Sequence, residues 1–395
     1  MKAILQMDLL FSKMTNNTKQ RITIFDLTRL VAMLFMVQGH VVYAFLDFDF
    51  SNMQDSSIWW VLWAFNRGFT APVFLVVSGA VQIFANKKNE FGELKPKLFQ
   101  KRILLAIFLI LISYIMHLPA DLSTLFTLDP SKLISFYQVN ILQLIGVCLI
   151  IALFLIKYTK NDNFLLFITL FLAVFFATFG LQIEQMTFIK DLHPAINCYL
   201  TYDYQSYFPL FPNASYYFIG LSFGIILKNY TSNYNLFIQK YGIIISAILF
   251  LIFYTFHSYD YSFISSISGL KNTSPLIVLF RTSIVFLYIT ILAQFNNIFN
   301  KSTVILMFGK KALLVYILHL YFIYNFLRYN PMFNGYFKLN TFDLQSTIWI
   351  VLLVMLLTFG SVFIIDFLLR KYKHAKKVLF SLVLILIINK LFWLF

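Results

Sequence analysis

Residues 24–46 read IFDLTRLVAMLFMVQGHVVYAFL. As a helix rising 1.5 Å per residue, this run is long enough to cross the roughly 30 Å of hydrocarbon in a bilayer. Its charge comes from Asp26, Arg29 and His40. Arg29 and His40 are eleven positions apart, which on a helix places them within about 20° of one another and about 16 Å apart. A cation and a titratable base therefore share one stripe of a lipid-crossing helix. Charge at that depth is costly, and where it occurs it commonly faces a protein interior or a water-filled path that handles a ligand.

The same reading extends over the whole chain. Its 395 residues are 60% hydrophobic and 12% charged, a balance that no soluble core explains. Eleven apolar runs of spanning length predict an all-α, polytopic membrane helical bundle, at 24–46, 58–85, 99–118, 138–158, 163–182, 213–230, 239–257, 273–296, 304–327, 345–370 and 377–395. Basic residues crowd alternate connections: Lys87, Lys88, Lys95, Lys97, Lys101 and Arg102 in one, Arg370, Lys371, Lys373, Lys376 and Lys377 in another. The intervening connections hold only Lys132, Lys190, Lys271, Arg328 and Lys338. By the positive-inside rule the N-terminus is cytoplasmic. The net charge of +15 is then mostly a topology signal, and nucleic acid is not an expected partner, since no basic run is interleaved with stacking aromatics in a soluble domain.

Nothing in the sequence divides residues 1–395, so one transmembrane domain is expected. The opening MKAILQMDLLFSKM is too short and too interrupted an apolar stretch for a cleaved signal peptide. Cys148 falls inside a span and Cys198 outside one, so no pairing is suggested, and no metal-ligand spacing occurs among the cysteines or the six histidines. His117 and His257 end spans and read as interfacial; His374 lies in a basic run.

Depth organises the remaining polar groups. Measured from the middle of each span, His40, Arg67, Arg281 and His319 fall about 5 to 7 Å toward the outside, one layer fed by four helices, whereas Arg29 lies about 9 Å toward the cytoplasm. Asp26 and Asp366 sit near the inner ends of their helices, spaced to pair with Arg29 and Arg370. A proton-driven carrier would more often place an acidic residue at mid-membrane. A histidine without a neighbouring acid can still act as a general base, because its unperturbed pKa is near neutrality. Met33 and Met36 lie between Arg29 and His40 on roughly the same face, where soft lining and plain core packing both account for them.

FDLTRLVAMLFMVQGH at 25–40 resembles the first helix of the transmembrane acyltransferases, whose signature is Arg, ten residues, His. FTAPVFLVVSG at 69–79 is similar to their second-helix motif. Acyltransferase family 3 proteins and heparan-α-glucosaminide N-acetyltransferase-like proteins share that opening. Three later segments look more like the second group: ILQLIGVCLII at 141–151, YFPLFPNASYYFIGLSFGIIL at 207–227 and FGKKALLVYILHLYFIY at 308–324. The resemblance reaches from about Arg21 to Tyr324, and one departure is Leu30, where that family commonly has Gly.

The resemblance implies transfer of an acyl group, with acetyl the default, from cytoplasmic acyl-CoA to a hydroxyl or amine of an extracytoplasmic glycan or glycolipid. Acetyl-CoA would be the donor substrate and no metal would be needed. Arg29, Lys101, Arg102, Lys310 and Lys311 are then the candidates for the CoA phosphates. His40 would be the base, and His319, Arg67, Arg281 or Asn66 would stabilise the oxyanion. Acylation of His40 itself is an open alternative. His193, Tyr202, Tyr204 and Tyr207 would meet the acceptor outside the bilayer. The expected setting is a bacterial inner membrane and cell-envelope glycan, with a homodimer one open arrangement. A carrier or flippase for a lipid-linked sugar is the competing class, although the two related halves such carriers often show are not apparent in the sequence.

Overall fold

A computed structural model describes residues 22–48, 58–89, 92–119, 130–231, 233–257, 273–299, 301–327, 333 and 335–372, with the side chains of 58–67, 130 and 257 outside that description. The described residues form helices with no strand among them: α1 (Thr23–Phe45), α2 (Ile58–Ala85), α3 (Pro96–Met116), α4 (Ile141–Tyr158), α5 (Asp162–Thr178), α6 (Leu210–Tyr230), α7 (Tyr234–His257), α8 (Pro275–Phe299), α9 (Thr303–Lys310), α10 (Ala312–Tyr321) and α11 (Leu344–Lys371). Eight are long and apolar enough to cross a membrane, and α9 with α10 forms a bent apolar pair that counts as a ninth only if it is one span. The protein is an all-helical, polytopic membrane protein. The expected last span, 377–395, lies outside the described residues.

Local sequence sets several helix starts. Asn140 begins α4 with a capping box: its side chain accepts from the Leu142 and Gln143 amides at 2.9 and 3.4 Å, while Gln143 Oε1 accepts from the Asn140 amide at 2.7 Å. Such reciprocal bonds satisfy amides that a helix start otherwise leaves unpaired. Asn161, Ser302 and Asp343 cap α5, α9 and α11 in the simpler way, and Pro96 opens α3.

The centre of the bundle is the crossing of α2 and α6. Helix α6 is the most enclosed, with 83% of its spanning window buried, against 17% for α3 and 22% for α7, which face outward. The crossing is close because a methyl group at Gly220 would run into the Val76 carbonyl, at Gly224 into that of Ala80, and at Gly79 into that of Tyr217. Lipid offers no hydrophobic drive between helices, so small residues that bring backbones together supply the packing. Helix α1 lies against α2, α8, α9, α10 and α11.

Two expectations are corrected. The apolar run 304–327 is two helices bent by 71° at Lys311. Gly309 lets α9 press onto the Asp26 backbone of α1, while Lys311 at the bend reaches Asp366 of α11 at 3.2 Å; both halves touch α1 and α11, α9 leaning mainly on α1 and α10 on both. The segment between the expected spans 163–182 and 213–230 is not a plain connection: it holds helices at Thr187–Lys190 and Pro194–Leu200, and Gly180–Gln185 precedes them. Pro194 and the His193 cap start one of these, and Ser206 Oγ fixes its end by donating to the Cys198 carbonyl at 2.6 Å.

Candidate active site

Helices α1 and α10 bring His40 and His319 together. His319 Nε2 is 3.2 Å from His40 Nδ1, with ring centroids 5.2 Å apart. On its other side His319 Nδ1 is 3.0 Å from the Val315 carbonyl of its own helix. His319 is fully buried and His40 half-buried. Tyr316 stands edge-on to the His319 ring at 5.5 Å.

The pair is placed by apolar packing on either side. Val37, Val41 and Phe45 of α1 share a buried cluster with Phe322 and Ile323, which follow α10 in one π-helical turn over Phe322–Phe326, and with Val351 and Val354 of α11. The chain before α11 crosses the end of α1. The amides of Asn340, Thr341 and Phe342 donate to the Ala44 and Phe45 carbonyls at 3.0 to 3.1 Å, and Asp47 N donates to Phe342 O at 2.8 Å. These bonds satisfy carbonyls that the helix end leaves open. The last turn of α1 beyond His40 is thereby held on two sides.

A second polar group on the same side gathers around Arg281 of α8. Its guanidinium lies next to Gly68 of α2 and faces the Tyr216 hydroxyl. Pro72 offers no N–H to the Gly68 carbonyl four residues back, so that turn of α2 carries an open acceptor. Tyr202 accepts from Asn213 Nδ2 at 2.9 Å. Burial pushes the Tyr202 hydroxyl up to about 12, against the pull of that hydrogen bond and of the Arg281 charge. Asn66 and Arg67 belong to α2 just before Gly68, and their side chains lie outside the described residues.

The other predicted acceptor residues scatter. Tyr207 is exposed over much of its surface, yet its hydroxyl is partly desolvated and is raised by that and then by Tyr43, which follows His40 by three residues on α1. The 201–209 segment therefore comes near the Tyr43 turn of α1. Tyr204 is exposed with φ of 54°, and its carbonyl accepts from Gln138. His193 caps its short helix, with Nδ1 accepting from the Ala195 amide at 3.2 Å, and its ring meets Tyr137 at 5.3 Å. His117, expected at the interface, is held at the end of α3 by the Ser113 carbonyl at 3.0 Å and Asn140 at 3.4 Å. The His257 side chain and His374 lie outside the described residues.

At the opposite end of α1, Arg29 is half-buried with Nη1 3.9 Å from Asp26 Oδ1. Lys311 shares Asp366 with Arg370, which approaches it to 2.6 Å. Arg102 turns inward from α3, donating to the Ala85 carbonyl at 3.4 Å. Its Nε and the Tyr217 hydroxyl are buried polar atoms without a hydrogen-bond partner, and the Arg102 charge acts on Tyr217. Lys101 and Lys310 are exposed. The inward turn of Arg102 had no sequence signal to separate it from Lys101. The His319 contact with Val315, four residues back on one helix, did. Among the described residues no cluster of His, Cys, Asp or Glu is placed to hold a metal ion.

The described helices define a polytopic membrane protein, with a histidine pair near one end of α1 and cations near the other. The chain matches the family of heparan-α-glucosaminide N-acetyltransferase catalytic domains over residues 21–258, and it belongs to that family. It is therefore a membrane acetyltransferase. No individual curated protein matches the chain. The family match takes in Arg29, His40 and Arg102 and ends before Arg281 and His319.

Proposed function

We propose that the protein moves an acetyl group from acetyl-CoA on the cytoplasmic side to a hydroxyl or amine of a glycan or glycolipid on the far side. The observation that carries this reading is the meeting of His40 of α1 and His319 of α10, 3.2 Å apart, with Arg29 about 16 Å from His40 along α1. The concentration of lysine and arginine on the Arg29 side supports a cytoplasmic assignment for that end. The enzyme for which the family is named N-acetylates a heparan α-glucosaminide, which supports an amino sugar or a related envelope glycan as acceptor.

The residues at the Arg29 end suit a phosphate-bearing donor. Arg29 and Arg102 are guanidinium groups, which bind phosphate through paired N–H donors. The buried Nε of Arg102 and hydroxyl of Tyr217 have capacity to bond a ligand. Lys311, already shared with Asp366, contributes less, and the exposed Lys101 and Lys310 least. Bound acetyl-CoA supplies the acyl group as an activated thioester. His40 takes the acceptor's proton as the new bond forms, and Arg281 with Asn66 and Arg67 is left to stabilise the oxyanion that develops. Tyr207, Tyr202, Tyr204 and His193 offer ring faces and hydroxyls to a sugar.

The test is to incubate the purified full chain with radiolabelled acetyl-CoA and envelope glycans. Label in the glycan together with free CoA is expected. Neither product, across several acyl donors, overturns the proposal.

A further inference from the structure

The hydrogen bonds around His319 determine which nitrogen of His40 is the base. His319 Nδ1 lies 3.0 Å from the Val315 carbonyl, with the Tyr316 carbonyl also acting on the ring. A carbonyl oxygen only accepts, so the Nδ1 of His319 carries a hydrogen. The ring is fully buried, and a second proton would bury a cation beside another histidine, at a cost that no carboxylate within ion-pair distance of His319 offsets among the described residues. His319 is therefore neutral, and its Nε2 is an acceptor. The group facing that acceptor at 3.2 Å is His40 Nδ1, which must then be the donor. In a neutral imidazole with hydrogen on Nδ1, Nε2 has none.

We propose that His319 is a positioning residue that fixes the tautomer of His40, through the chain from Val315 carbonyl to His319 to His40, so that His40 Nε2 is the catalytic base. This deepens the acyl-transfer reading and rests on it for the chemistry. The acceptor's proton passes to His40 Nε2 while its oxygen or nitrogen bonds to the acyl carbon. The carbon–sulfur bond then breaks, and the same proton passes from Nε2 to the departing CoA sulfur, leaving His40 neutral again. While His40 is charged, its Nδ1–H bond to His319 Nε2 becomes charge-assisted and shorter. A carboxylate performs this orienting task in Ser-His-Asp hydrolases. A neutral histidine performs it here without a buried negative charge, which suits a site inside a bilayer. The π-helical turn at Phe322–Phe326 follows within three residues, and such turns recur at functional sites because they re-aim side chains.

The experiment compares the full-length wild type with His319→Leu and His319→Gln in detergent micelles. Long-range ¹⁵N–¹H spectra of ring-labelled histidine, with His40→Gln used for assignment, read the tautomer directly. Wild-type His40 is expected with hydrogen on Nδ1, and His319→Leu is expected to release it toward the Nε2–H form. With acetyl-CoA and envelope glycans, His319→Leu should lower kcat roughly 10²-fold or more, with KM for acetyl-CoA nearly unchanged. His319→Gln, whose Oε1 can accept from His40 Nδ1, should recover roughly tenfold of that loss. Hydrogen on Nε2 of His40 in the wild type, or an unaltered His40 spectrum in His319→Leu, overturns the assignment. If wild type transfers no acetyl group, the acyl-transfer reading fails, and the spectra still decide the role of His319.

Discussion

The two ends of α1 are built to different tolerances. At the His40 end, one ring is fully buried against another, an apolar cluster closes around them, and three backbone amides fasten the last turn. At the Arg29 end, the cation is half-buried, its carboxylate is 3.9 Å away, Lys311 is shared, Lys101 and Lys310 are exposed, and only Arg102 turns inward. Chemistry needs a group held in one orientation, whereas binding a polyanion needs charge that can adjust. The difference implies that mutations at the first end act on turnover and at the second on affinity.

His40→Ala is the most severe way to probe this difference. It removes the base and should lower kcat by about 10²- to 10⁴-fold, the usual contribution of general acid–base catalysis, while acetyl-CoA binding measured by calorimetry stays within a few fold. Full activity in this variant would remove His40 from the mechanism. Arg29→Ala should act the other way, raising KM for acetyl-CoA about 10- to 100-fold, the worth of one or two hydrogen bonds to a charged group. Its kcat at saturating donor should change little, and Arg29→Lys should fall between. Equal losses of kcat at both positions would erase the distinction between the ends.

Gly309→Ala probes bulk instead of charge at the Arg29 end. The added methyl would meet the Asp26 carbonyl and push α9 from α1. Overpacking of that kind costs about 1 to 3 kcal/mol, which should appear as a lower thermal midpoint in micelles. Because Arg29 lies three residues from Asp26, KM for the donor should rise with it while kcat holds. An unchanged midpoint would mean that the 71° bend is not set by this contact.

How far the sequence foretold the two ends follows from what each depends on. The α1 stripe follows from helical periodicity alone, and equal depth in their spans is enough to put His40 and His319 in one layer. Ion pairing of Asp26 with Arg29 and of Asp366 with Arg370 followed from spacing within a helix. Contacts between helices distant in sequence left no such trace: the claim of Asp366 on Lys311, the inward turn of Arg102, and the bend between α9 and α10. The bend hides because both halves are equally apolar, so hydropathy joins them. Packing at Gly309 separates them, and a glycine in an apolar run has many possible reasons.

The smallest expected effect lies in the strap over the His40 end. Asp343 caps α11 by accepting from the Ser346 amide at 3.3 Å, directly after the Phe342 backbone that bridges to α1. That hydrogen bond holds the Asp343 carboxyl below its usual range. A depressed carboxyl pKa contributes stability above the unfolded value near 3.9, and the contribution is lost as pH falls through the lower folded value. Asp343→Ala should therefore lower the thermal midpoint at pH 6, and its difference from wild type should shrink as pH falls below the unfolded carboxylate value near 3.9. The sharper measurement is hydrogen exchange at Asn340, Thr341 and Phe342, whose amides close the end of α1. Faster exchange there in Asp343→Ala, with kcat falling in step, would show that the strap helps hold His40 in place. Faster exchange with kcat intact would show that His319 and the apolar cluster hold the ring without it, and would move the boundary of the rigid end inward from Phe342 to Phe45.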